Sequence, residues 1–119
     1  MTHLPHQHDG KSQHISQHIP AAETFQTGAQ LFRQLGDGTR IRIFWILCHC
    51  EECVINLSAM MEMSSPAVSH HLRQLRESGL VISRREGKEV YYKAAETPVA
   101  AALHAMIEDM LTISCPMEE

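Results

Sequence analysis

Apolar residues recur at helical spacings in the first half of the chain. Phe25, Ala29 and Phe32 lie four and three residues apart, and Leu35 follows three residues later. This pattern predicts an amphipathic helix that ends near Gly36.

A second helix is predicted over residues 39–48, with Asp37 as its N-cap. Its residues are apolar around most of the helix circumference, which is typical of a central buried element. Leu57, Met60 and Met61 then indicate a short third helix.

The clearest start and stop signals bracket a helix over residues 65–78. Ser65 is the predicted N-cap, Pro66 suits the first helical position because it has no N–H to lose, and Gly79 suits the C-terminal end. At about 100° per residue, an apolar inward stripe faces away from a polar and partly cationic side. The inward residues are Val68, Leu72 and Leu75, and the outward ones are Ser69, His70, Arg73, Gln74 and Glu77.

Two strands follow this helix. Residues 81–85 and 89–93 are rich in Val, Ile and Tyr, and the Gly87 turn between them predicts a β-hairpin with a basic rim.

The last helix has a narrow apolar seam, with apolar residues at spacings of 4, 3, 4 and 3. Such a seam favours pairing with another helix, and we predict a homodimer through the first and last helices. The predicted interface residues are Phe25, Phe32, Val99, Leu103, Met106, Met110 and Ile113.

These elements predict a mainly α fold with a small β-hairpin (α+β), a winged helix-turn-helix. Residues 1–20 are His-rich with few large apolar residues, and a disordered tail is predicted there. Residues 21–114 form the predicted DNA-binding and dimerisation domain, and residues 115–119 a C-terminal tail. The longest apolar run is too short to cross a bilayer, so we expect a cytoplasmic protein without membrane contact.

The net charge of −4 conceals a local asymmetry. Residues 64–93 contain six basic and three acidic side chains, whereas the rest of the chain contains four basic and eleven acidic ones. A basic face on an acidic body is the pattern expected where one surface meets DNA phosphates.

We therefore predict binding to double-stranded DNA. The fourth helix would contact base edges, and the hairpin would contact phosphates. The candidate DNA-binding residues are Ser64, Ser65, Ala67, Ser69, His70, Arg73, Gln74, Arg84, Arg85 and Lys88. No catalytic residues are predicted, because no His-Glu pair accompanies an open three-ligand zinc site.

Three segments resemble the ArsR/SmtB family of metal-responsive bacterial repressors: LFRQLGDGTRIRIFWIL, SPAVSHHLRQLRESGLV and RREGKEVYY. The resemblance runs from about Leu31 to Ser114. It implies a homodimer on an inverted-repeat operator, released by a metal or another signal. By this resemblance, Ser69 and His70 match positions that contact DNA.

A cysteine cluster, CHCEEC, provides candidate metal ligands. Cys50 and Cys53 flank two glutamates in a predicted exposed turn, and Cys48 could equally be a small buried apolar residue. Thiolates bind zinc, cadmium or lead ions, and arsenite is a less favoured candidate for this site. Further ligands would come from Cys115, His49 or tail residues including His6 and His8.

The family resemblance matches this cluster only in part. EECVINL is similar to the ELCVCDL of metal-sensing members, with Cys53 in the first cysteine position and Ile55 in the second. At the family's other metal site, on the last helix, the aligned residues are Glu96, Pro98, Asp109 and Thr112, so that site is absent. His104 and Glu108, four residues apart, are predicted to be a helix surface pair.

Two alternatives to metal-controlled repression stay open. The repressor could respond to thiol oxidation, with Cys50 or Cys53 bonding to Cys115 or to each other. In a different class, the chain could buffer metal through its histidines and cysteines without binding DNA.

Overall fold

A computed structural model describes residues 3–6, 8 and 10–116 of the chain. It divides into two compact units, Met1–Gln30 and Leu31–Glu119. Within the segment predicted to be a disordered tail, the structure has a short helix, α1 (Gly10–Ser16), none of whose residues is buried. The predicted ligands His6 and His8 are exposed, with their rings stacked at 6.2 Å.

The next two helices agree with the apolar pattern. Helix α2 is Ala22–Gln34, and α3 is Gly38–His49. Asp37 caps α3 as predicted, because its side chain accepts a hydrogen bond from the Arg40 backbone N–H at 3.0 Å. Ile43, Phe44 and Leu47 make α3 the central buried helix.

Helices α4 (Val54–Met61) and α5 (Ser65–Glu77) form the helix-turn-helix. The predicted N-cap of α5 was wrong by one residue. Ser64 is the cap, and its hydroxyl accepts a hydrogen bond from the Ala67 backbone N–H. Ser65 begins the helix, and its hydroxyl is 3.0 Å from the Ser58 hydroxyl of α4.

The predicted hairpin is part of a three-stranded antiparallel sheet. Strands β1 (Glu52–Cys53), β2 (Val81–Glu86) and β3 (Glu89–Ala94) lie in the order β1-β3-β2. The exposed turn predicted around Cys50 and Cys53 was therefore wrong in its second half, since Glu52 and Cys53 pair with Tyr92 and Tyr91.

Helix α6 (Pro98–Leu111) begins at the Thr97 cap, whose hydroxyl accepts from the Ala100 backbone N–H. Its inner face packs into one core with side chains of α3, α4 and α5. The core comprises Ile43, Phe44, Leu47, Leu57, Met61, Val68, Leu72, Leu75, Leu80, Val81, Ala95, Ala100, Leu103 and Ile107. Among the described residues, no helix is long and apolar enough to span a membrane.

Candidate nucleic-acid interface

One face of helix α5 packs into the core, and the opposite face is directed outward. Val68, Leu72 and Leu75 are at most 1% exposed, as their spacing predicted. Gly79, at φ +80°, ends the helix in the left-handed region that a side chain rarely adopts. The helix is therefore anchored along its length and capped at both ends.

The outer face of α5 carries hydrogen-bonding and cationic groups. His70 and Arg73 are exposed, whereas Ser69, Ala67 and Gln74 are half-buried. Gln74 and His70 contact each other through their Nε2 atoms at 3.1 Å, which holds both side chains on one turn. Ser64 and Ser65 are exposed, but their hydroxyls are already engaged in the cap and the α4 contact.

The hairpin divides its cations into two kinds. Arg84 contacts Glu51 twice, at 2.6 and 2.9 Å, contacts Glu86 at 2.8 Å, and lies over the Tyr91 ring. Arg84 donates these hydrogen bonds to the Glu51 and Glu86 carboxylates, and they raise the pKa of Arg84 further above its usual range. Its charge is thus neutralised within the chain, which differs from its predicted role as a phosphate contact.

Lys93 of the hairpin is also paired, with Glu96 at 3.0 Å, but three other cations of this surface have no such partner. Within residues 3–6, 8 and 10–116, no ion pair involves Arg73, Arg85 or Lys88, and all three side chains are exposed. A cation without a protein carboxylate nearby keeps its full charge for a phosphate or a base edge. These three residues are therefore the strongest DNA-binding candidates on geometric grounds.

The cysteines are not gathered into one cluster. Cys48 is half-buried, Cys50 is exposed, and Cys53 lies half-buried in β1. Burial and the nearby Glu108 charge raise the pKa of Cys48 to about 12, and burial also raises the pKa of Cys50. In the metal-free chain, loss of the thiol proton is therefore less favourable at Cys48 and Cys50 than at an ordinary cysteine, and a thiolate is the form that binds metal or attacks a disulfide.

A different group of potential ligands is brought together, and sequence reasoning missed it. Among the described residues, the one group of three whose ligand atoms lie within 4.8 Å of one another is His49, His104 and Glu108. Cys115 contacts the other side of the His49 ring, with its Sγ 3.1 Å from Nδ1. The predicted pair His104 and Glu108 does form, at 3.0 Å, but His49 joins it from α3.

The predicted dimer seam is mostly exposed. Phe25 and Phe32 are 58% and 65% exposed, and Val99, Met106, Met110 and Ile113 are also exposed. Leu103 differs, because it is buried in the core of its own chain. Large apolar side chains exposed together on one helix, as Val99, Met106 and Met110 are on α6, are the usual mark of an interaction surface.

Comparison with known proteins identifies the family. Residues 37–83 match the family described as "Bacterial regulatory protein, arsR family". The chain is 39% identical over 85 residues to a transcriptional repressor SmtB homolog of Synechocystis sp., covering 71% of this chain and 64% of that protein. It is 34% identical over 102 residues to the biofilm growth-associated repressor of Agrobacterium fabrum, covering 85% and 84% of the two chains.

A solved structure is similar in fold. The homodimeric winged helix-turn-helix DNA-binding domain Mb0332 from Mycobacterium bovis aligns with a TM-score of 0.70 and 28% identity, covering 76% of this chain and 83% of that one. Three curated relatives are more similar in sequence than the Agrobacterium repressor, but their alignments with this chain span only 50% to 64% of their own lengths. The matched helix-turn-helix and the Agrobacterium relative, aligned over most of both chains, show that this chain belongs to the arsR family of bacterial regulatory proteins.

Proposed function

We propose that this chain is a DNA-binding transcriptional repressor that acts as a homodimer on an inverted-repeat operator. The observation that carries the proposal is the exposed outer face of α5 beside a hairpin whose Arg85 and Lys88 lack carboxylate partners. An α-helix of this kind fits the major groove, where Arg73 would reach a base edge. The hairpin would then follow the adjacent phosphates.

Dimerisation would set the spacing of the two recognition helices. Family relatives include a domain described as homodimeric, and the exposed apolar side chains of α6 offer a surface for the second copy. Two copies of α5 would enter successive major grooves about 34 Å apart. Bound there, the dimer would occlude the promoter and repress transcription.

Release by a thiophilic metal at Cys48, Cys50, Cys53 and Cys115 stays a prediction. Relatives of this chain are described as arsenical and cadmium resistance regulators, which supports metal control in general. The three cysteines around residue 50 do not form a group of ligand atoms within 4.8 Å in the described part of the chain. The residues as folded therefore do not fit a three-thiolate ion, and no step of the proposed function passes through one.

Fluorescence anisotropy on a labelled palindromic duplex, with unlabelled random duplex as competitor, tests the DNA-binding proposal. We expect Arg73→Ala to reduce specific binding by about 1–3 kcal/mol, roughly 5- to 150-fold, while non-specific binding changes much less. Arg42→Ala is the matched control, since Arg42 is an exposed arginine on α3 outside the proposed interface. Equal effects of the two substitutions, or no salt-sensitive duplex binding, would refute the proposal.

A further inference from the structure

The C-terminal end of α3 and the middle of α6 bring three ligand atoms face to face. His49 Nε2 lies 3.1 Å from Glu108 Oε2, His104 Nε2 lies 3.0 Å from the same oxygen, and the two Nε2 atoms are 3.2 Å apart. The three atoms thus form a nearly equilateral triangle. The three side chains are 10–26% exposed, so water and ions can reach them.

Hydrogen bonding alone cannot make all three contacts of this triangle favourable. A neutral or cationic imidazole nitrogen presents either one N–H or one lone pair in the ring plane. If both Nε2 atoms carry protons, they donate to Glu108 but face each other as two donors. If one of them lacks a proton, its lone pair faces the carboxylate oxygen instead. A cation at the centre would turn all three lone pairs toward itself and remove this conflict.

The size of the triangle also fits a cation. Zinc binds histidine nitrogen and carboxylate oxygen at about 2.0–2.2 Å, and tetrahedral geometry then separates neighbouring ligand atoms by about 3.3 Å. The observed separations of 3.0–3.2 Å need to widen by only a few tenths of an ångström. Side-chain torsions of that size require no backbone movement.

We propose that His49, His104 and Glu108 form a binding site for one divalent transition-metal ion of the zinc and cobalt type. Two imidazoles and one carboxylate favour these ions over calcium and magnesium, which prefer oxygen ligands, and over lead and arsenite, which prefer thiolates. The proposal is independent of DNA binding. It also differs from the predicted thiolate site in both its residues and its metal class.

The surroundings orient the ligands as known metal sites do. Cys115 Sγ lies 3.1 Å from His49 Nδ1, so a proton kept on Nδ1 leaves the Nε2 lone pair for the metal. Trp45 donates its Nε1–H to Glu108 Oε2 at 2.9 Å, which fixes the carboxylate. Cys115 is thus an outer partner of His49, since its sulfur contacts the nitrogen that faces away from the triangle.

A cleft of about 590 Å³ gives access to the site. His49 and His104 line it, together with residues 47, 48, 50, 51, 93–98, 100 and 101. Water from this cleft would occupy the fourth coordination position. Because α3 packs against α5 and α6 carries the exposed apolar seam, a metal ion here would tie the core of the DNA-binding part to the proposed dimerisation helix.

Cobalt absorption spectroscopy tests the site on the full chain. The exposed tail histidines could compete for metal, so the parent for these titrations has asparagine in place of His3, His6, His8, His14 and His18. We expect one equivalent of Co²⁺ per chain, with the weak visible bands of nitrogen and oxygen ligation. Intense near-ultraviolet thiolate-to-cobalt bands should be absent.

Substitutions identify the ligands. His104→Ala and Glu108→Gln should each weaken Co²⁺ binding at least 10-fold, whereas the double variant Cys50→Ser with Cys53→Ser should bind as the parent does. Glu108→Gln keeps an oxygen acceptor for Trp45, and His104→Gln replaces His104→Ala if that variant does not fold, as judged by circular dichroism. Cys115→Ser should still bind Co²⁺ and should show the same spectrum.

Three results would overturn the proposal. One is the absence of Co²⁺ binding at stoichiometric concentration. Another is an unchanged affinity in both His104→Ala and Glu108→Gln. The third is an intense thiolate band that disappears with the Cys50 and Cys53 substitutions or with Cys115→Ser, because it would assign the metal to sulfur.

Discussion

Replacing Arg85 by alanine tests whether the hairpin holds DNA phosphates. Arg85 is exposed on β2, and in the described part of the chain no carboxylate is ion-paired with it. Its neighbour Arg84 contacts Glu51 and Glu86 at 2.6–2.9 Å. The two arginines are therefore a matched pair that differs in whether the charge is available to DNA.

The salt dependence of binding gives the expected magnitude. Each neutralised phosphate contributes about 0.9 to the slope of log affinity against log salt concentration. In a homodimer, Arg85→Ala removes two such contacts, so the slope should become shallower by about 1.8. Between about 50 and about 200 mM salt, this variant should lose roughly 12-fold less affinity than the parent protein. Arg84→Ala should leave the slope close to that of the parent, since the removed charge was already neutralised.

Anisotropy of a labelled operator duplex, measured over a salt series, provides the slopes. Thermal melting by circular dichroism checks that both variants are folded, because Arg84→Ala also releases Glu51 from the hairpin. An unchanged slope in Arg85→Ala would refute the proposed phosphate contact. An equal reduction in both variants would refute the distinction between a paired and an unpaired arginine.

Three further predictions concern stability, assembly and thiol chemistry. Asp37→Ala should lower the free energy of unfolding by about 1 kcal/mol at neutral pH. The hydrogen bond from the Arg40 backbone lowers the pKa of Asp37 below the ordinary 3.8, so the carboxylate's contribution is present above that value and is lost as pH falls through the folded pKa. Denaturation at several pH values checks this, with Asp37→Asn as the control. If the difference in free energy of unfolding between Asp37→Ala and the wild type stays the same in strong acid, the prediction is wrong. Leu103→Ala should destabilise the fold by about 2–5 kcal/mol, whereas Met110→Glu should prevent self-association without unfolding the chain. Chemical denaturation measures the first effect and sedimentation the second. Loss of stability in Met110→Glu, with self-association intact, would contradict the proposed dimer seam. At neutral pH, iodoacetamide should alkylate exposed Cys50 before Cys48, whose pKa of about 12 keeps it protonated. Labelling of Cys50 should increase with pH. Peptide mass spectrometry measures the labelling of both residues, and equal rates at Cys50 and Cys48 would contradict the prediction.

The sequence determined the elements whose signals are local. Apolar spacing and caps were enough to predict α3, α5 and the hairpin, because each signal lies within one or two turns of the residues it positions. The inward stripe of α5 and the Asp37 cap are confirmed by the structure. Local signals of this kind do not depend on the rest of the chain.

The errors at the N-cap of α5 and at strand β1 have physical reasons. Ser64 and Ser65 are both good N-caps, so the sequence alone does not rank them. In the structure the Ser64 hydroxyl caps the helix, whereas the Ser65 hydroxyl contacts Ser58 on α4. Strand β1 has only two residues, too few for a period-two pattern, and it exists because β3 offers a free edge beside it.

Only the tertiary structure decided which side chains share a site. Arg84 and Arg85 are equivalent in sequence, but Glu51, 33 residues away, neutralises one of them. His49 and His104 meet across 55 residues, because the core packs the end of α3 against α6. The proposed DNA-binding surface was therefore predicted from local periodicity. The candidate metal ligands depend instead on how α3 and α6 pack together, which no local sequence pattern indicates.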